Sequence, residues 1–186
     1  VNFYYVDPTD KDNYIVLDEY FDRLKQARVN ELQKIAQDLG AKKFRVTYMR
    51  EKSSLIKKKW NGKADGKAKD GDGTVSVDVD KLSKQYDKVE IEAENSFPGH
   101  DPAEPHVRYL KYDQNVQNLI DMRMDTNGPI NHQTLSIKLS STSGLKENDA
   151  AKLDMILKSL KMAGNTTVLS EVQNEEKSIL KYEIEF

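Results

Sequence analysis

Lys57, Lys58 and Lys59 run directly into Trp60, and Lys63, Lys67 and Lys69 follow at short intervals. Trp60 is the single tryptophan of the chain. Cations beside an aromatic ring supply what a single-stranded nucleic acid takes: neutralised phosphates and a surface on which bases stack. The same features suit an acidic membrane, where lysines meet headgroups and an indole sits at the interface. The plainer alternative is a solvated hairpin whose lysines keep an edge strand from aggregating, with Trp60 turned inward. Between Lys52 and Lys69 there are seven lysines and no arginine. That composition tells against bidentate contacts to phosphates or bases.

From Asp70 to Glu94 the balance reverses, with eight acids against three lysines. Glu90, Glu92 and Glu94 alternate with Val89, Ile91 and Ala93. A strand here puts the three carboxylates on one wet face, beside Asp78 and Asp80 of a neighbouring strand. Paired carboxylates do acid–base work when their environments differ. On a solvated face they form instead a negative surface that the lysines of 57–69 can cover. Asp70-Gly71-Asp72-Gly73 invites a calcium reading, but with Gly73 as the loop glycine the first and last ligand positions fall on Ala68 and Val79. A hairpin turn accounts for it better. His100, Asp101, Glu104 and His106 are residue types that bind zinc-like ions. They lie in a Pro-rich stretch with no recognisable ligand frame, and His132 has no neighbouring partner in sequence. Arg28 and Arg123 fall in helical apolar stripes, where each can pair a buried carboxylate, bind an anion or lay its stem along apolar surface.

No nucleophile elbow, P-loop, dinucleotide fingerprint or zincin motif occurs. The absence of cysteine excludes disulfide scaffolds, thiolate metal sites and thiol catalysis. No catalytic residue, no cofactor and no metal ligand is therefore expected.

These residues need elements to position them. Asn2–Val6 reads as a short aromatic strand, and Asp7–Asp10 as a turn. Leu17, Tyr20, Phe21, Leu24, Leu32, Ile35, Ala36 and Leu39 recur at helical steps, which predicts a helix over 15–39 ended by Gly40. Alternation predicts strands at 43–48, 54–60, 75–79 and 89–93, with a Gly- and Asp-rich loop over 61–73 between the second and third. A helix over 113–124, a strand at 135–139 and a helix over 147–162 follow. Ala150, Leu153, Leu157 and Leu160 share one face of that last helix. Two strands, 166–172 and 179–186, close the chain.

At 186 residues the chain has the size of one domain. Its net charge of −2 argues against a wholly basic nucleic-acid binder. A hydrophobic content of 37% and a mean hydropathy of −0.77 allow a core of modest size. No apolar run approaches the ~20 residues that cross a bilayer, and the first residues show no signal-peptide core. The chain is expected to be soluble and cytoplasmic.

The expectation is a single compact α+β domain over 1–186, with mostly antiparallel sheet and two longer helices packed on one face. Sliding the chain by 124 residues brings Leu32 onto Ile156, Gly40 onto Gly164, Phe44 onto Val168 and Tyr48 onto Val172. That suggests a pseudo-twofold duplication of a β-α-β-β unit, with halves 1–94 and 107–186 joined by the Pro-rich connector 95–106. The expected function is a non-catalytic binding or protein-interaction module, partnering itself or another protein. The alternative is an anion-surface binder, for single-stranded nucleic acid or an acidic membrane, through the Lys-rich hairpin 52–69. The third reading is an enzyme without a known motif, using carboxylates from 78–94 or the connector from His100 to His106.

Overall fold

A computed structural model of the chain describes residues 4–7, 10–16, 19–52, 85–141, 145–161 and 167–186. In chain order these form β1 (Tyr4–Asp7), β2 (Asp10–Val16), α1 (Tyr20–Asp38), β3 (Lys43–Glu51), β4 (Tyr86–Ser96), α2 (Gln114–Met124), β5 (His132–Lys138), α3 (Glu147–Ser159), α4 (Val168–Glu176) and β6 (Ser178–Glu185). β1 and β2 pair as a small antiparallel ribbon. The other four strands form one antiparallel sheet in the order β4-β3-β6-β5. The architecture is mixed α+β, with α1 and α2 packed on one face of this sheet.

Period-two alternation builds that face. Phe44, Val46 and Tyr48 of β3, Leu180, Tyr182 and Ile184 of β6, and Leu135 and Ile137 of β5 all point into one core. α1 supplies Val29, Leu32, Ile35 and Ala36 to it, and α2 supplies Val116, Leu119 and Ile120. Burying a Leu, Ile or Phe side chain contributes about 1.5–3 kcal/mol relative to exposure, so this cluster is the main source of stability. A smaller cluster of Leu145, Ala150, Val168 and Val172 joins α3 to α4 and rests on Phe21 of α1.

The end of α1 shows how sequence sets geometry. Gly40 has φ +80°, its N–H donates to Gln37 O, and Ala41 N–H reaches back to Ala36 O. These are the two bonds of a Schellman cap, whose left-handed residue is usually glycine. The connector then packs against this end. His100 O is the nearest atom to where a Gly40 side chain would be. Each ring nitrogen of His100 lies 2.6 Å from a carbonyl oxygen, of Asp101 and of Gln37. Arg123 also anchors this corner, donating to Leu39 O and Ile130 O and stacking over Phe186.

Three expectations need correction. The helix predicted from residue 15 begins at Tyr20, because Tyr14, Ile15 and Val16 are strand residues paired with Val6, Tyr5 and Tyr4. The strand predicted at 166–172 is α4 instead, so residues 168–186 are helix then strand and not a hairpin. A spacing of four, Val168 to Val172, fits a strand face and a helix face equally well. The ends decide it. Thr167 Oγ accepts from Ser170 N, and the Asp154 carboxylate accepts from Val168 N and Leu169 N, which satisfies the orphan donors of a helix start. The duplication alignment thus matches Phe44 in a strand with Val168 in a helix.

The third correction concerns β4. Opposite β3 the register passes from Val46↔Ala93 to Thr47↔Ile91, leaving Glu92 as an extra bulged residue. A one-residue insertion exchanges the two faces beyond it. Ala93 therefore packs on the core while Val89 and Ile91 face away from it. The three glutamates do not share a face. Glu92 turns toward α1, and Glu94 pairs with Arg45 on the far side.

Candidate functional site

The face of the sheet opposite the core carries no described helix, and cross-strand register gives its layout, because residues opposite each other share a face. One row reads Glu94, Arg45, Glu183, Thr134, and the next toward the sheet end reads Ser96, Lys43, Glu185, His132. Above them lie Ile91, Thr47, Lys181, Ser136 and then Val89, Met49, Ile179, Lys138. Charges of opposite sign thus alternate across the strands. Arg45 sits 3.1 Å from Glu94, and Lys181 sits 3.3 Å from Glu183. The hydrogen bond to Glu94 raises the Arg45 guanidinium above its ordinary value. A shallow depression of about 420 Å³ is lined here by Lys43, Arg45, Glu94, His132, Glu183 and Glu185. Beside this charged end, Ile91 is 59% exposed and Val89 42%. Thr47 and Met49 in the middle strand are already buried, so the uncovered apolar surface belongs to β4.

On the core face, at the opposite end of the sheet, a second group of polar side chains lies between α1, α4 and the strands. Lys25 reaches Glu92 at 3.1 Å and lies over the Tyr48 ring at 4.7 Å. Burial lowers the Lys25 ammonium, but the hydrogen bond and charge of Glu92, with Asp22, outweigh it and leave it raised. Ser178 Oγ donates to Asn174 O at 2.6 Å, so the Tyr48 hydroxyl, 2.9 Å away, is the donor to Ser178. The Ser178 proton is therefore held by a carbonyl, which is not how a nucleophile is activated. Arg50 pairs with Asp87 at 2.9 Å. Arg28, wholly buried, stands 3.7 Å from Glu175. Desolvation lowers its guanidinium, partly opposed by Glu175. Burial, with Glu147 close by, raises the Glu176 carboxyl at the end of α4.

Lys57, Lys58, Lys59, Trp60, Lys63, Lys67 and Lys69 lie outside the described residues, as do Asp78, Asp80 and the strands expected at 54–60 and 75–79. Arg28 takes the role of partner to a buried carboxylate, and Arg123 that of a clamp on carbonyls. The connector residues are not gathered into a ligand set. His100 is turned onto backbone, and no group of three or more His, Asp or Glu among the described residues stands close enough to hold a metal ion. Sequence reasoning missed Val89 and Ile91 as surface residues. It also put Leu160 on the packed face of its helix, where the structure leaves it 53% exposed. Searches of protein-family models, curated proteins and solved structures returned nothing that matches the chain.

Proposed function

We propose that the chain is a non-catalytic interaction module and that its partner is a second copy of itself, engaged through the face of the sheet that carries no described helix. The observation that carries this reading is the pair Ile91 and Val89, large apolar side chains uncovered on a strand beside an alternating field of charge. Lys43, Arg45, Lys138 and Lys181 are set against Glu94, Glu183 and Glu185, so the field is nearly balanced. A polyanion gains little from such a face, since Lys43, Arg45 and Lys181 each have a carboxylate for a neighbour. A surface of alternating sign complements another of the same kind, and the surface guaranteed to carry that pattern is its own copy. Catalysis is not favoured, because the Ser178 proton is held by the Asn174 carbonyl and Arg28 faces Glu175 across a buried pair.

The footprint bounds the affinity. Four strands about 4.8 Å apart and eight residues at about 3.4 Å each span at most about 500 Å² per copy, less what the buried Thr47 and Met49 take from it. Two copies together would bury at most about 1,000 Å², the lower limit for a specific interface. A weak dimer follows, with a dissociation constant in the micromolar range or above.

Sedimentation equilibrium across a wide concentration series tests this. The average mass should rise from 21.3 kDa toward twice that value, and Ile91→Glu should hold it at the monomer without changing the fold. A mass that stays at the monomer throughout would sink the proposal. Salt-sensitive quenching of Trp60 by single-stranded RNA, lost on reversing Lys57, Lys58 and Lys59, would move the function to the lysine stretch instead.

A further inference from the structure

We infer that the outer face of α3 is a docking surface for an acidic membrane, on which the helix lies in the plane of the headgroups. α3 is the least buried of the longer helices. Only Ala150 is fully covered, and Leu153 and Leu157 are partly packed against α4 and Phe21. Met155 is 73% exposed, Ile156 49% and Leu160 53%. Seven large hydrophobics are exposed among the described residues, and these are three of them within six positions.

From Lys152 to Lys161 the exposed charges are of one sign. Lys152, Lys158 and Lys161 are all exposed. The helix acids are placed otherwise. Glu147 and Asp149 stand in the first turn, where the helix dipole favours them. Asp154 is turned inward, holding the N–H groups of Val168 and Leu169. Beyond Asp149 the exposed surface of α3 therefore presents lysines and apolar side chains with no acid among them. At 100° per residue, Leu160, Ile156, Lys152, Ser159, Met155 and Lys158 follow one another around the exposed side. Lysines between apolar side chains are what an interfacial helix uses, the apolar groups entering the acyl boundary and the ammonium groups staying at phosphate level. A polyanion in solution has no use for Met155, Ile156 and Leu160. The length agrees: 13 residues make a rod of about 20 Å, too short to cross a bilayer of about 30 Å and suited to lying on one. The surface is separate from the sheet face opposite the core, and neither proposal depends on the other.

Flotation of the full chain with vesicles tests it. Phosphatidylcholine vesicles containing about one-third phosphatidylserine should carry the protein at low salt and release much of it near physiological salt, while pure phosphatidylcholine should carry little. Met155→Glu and the pair Lys152→Glu/Lys158→Glu should each lower binding about tenfold with an unchanged circular dichroism spectrum. Reversing Lys57, Lys58 and Lys59 should leave most of the binding intact. Equal binding to both vesicle types, or no binding to either at low salt, would overturn the inference. So would Met155→Glu binding as the parent does, or loss of binding confined to the Lys57–Lys59 variant.

Discussion

Arg28 has a charge and no water. It is fully buried, its three guanidinium nitrogens make no hydrogen bond, and Glu175 is 3.7 Å from the nearest of them. Bringing a guanidinium out of water is compensated only by close, well-directed partners. This pair is looser than that, so its net contribution to stability is small although each member depends on the other. The asymmetry is measurable by urea unfolding. Glu175→Leu leaves the Arg28 charge buried beside an alkyl chain and should cost about 3–5 kcal/mol. Adding Arg28→Met to that variant should recover most of the loss, a coupling that additive single-site effects cannot produce. If the double variant is less stable than Glu175→Leu alone, the pair is a net stabiliser and this account fails. The position of Arg28 in an apolar stripe was readable beforehand. Its partner was not, because Glu175 lies 147 residues away on a segment whose spacing also fitted a strand.

Elements with clear ends were legible in the sequence. α2 begins at an Asp113 cap that accepts from Val116 N, and α1 ends at a glycine, as their residue types require. Gly40 gives a sharp test of the second. A side chain there would sit at φ +80° and run into the His100 carbonyl, which is backbone and cannot swing aside. Gly40→Ala should lower stability by about 2–4 kcal/mol, more than the roughly 1 kcal/mol of left-handed strain alone. Thermal melting checks it, and a loss under 1 kcal/mol would mean the connector detaches from α1 at no expense. Elements whose identity depends on distant residues were not legible. α4 is decided by the Asp154 carboxylate supplied from α3, and the faces of β4 by one bulged residue set against β3.

At the scale of the molecule the hydrophobic clusters of the described residues are unequal. Nineteen buried residues hold α1, α2 and the sheet together, whereas four join α3 to α4. Regions with few buried apolar contacts open at lower free energy than the global transition. Amide hydrogen exchange should therefore find α3 and α4 exchanging well before β3, β6 and the middle of α1. Equal protection everywhere would show one cooperative unit. The fold class was readable because its main core is built from plain alternation and helical stripes. The candidate surfaces were not, since exposure is a property of what fails to arrive, and no stripe of residues announces that. β4 adds a last consequence. Among the described strands it lies at the edge of the sheet and is eleven residues long, and a long edge is the usual template for fibrillar growth. Register breaks at Asp87 and Glu92 cut it into Lys88–Ile91 and Ala93–Ser96, each four residues long. Steric zippers need six or seven in register. The same irregularity that exposes Ile91 and Val89 on the sheet face therefore withholds them from amyloid.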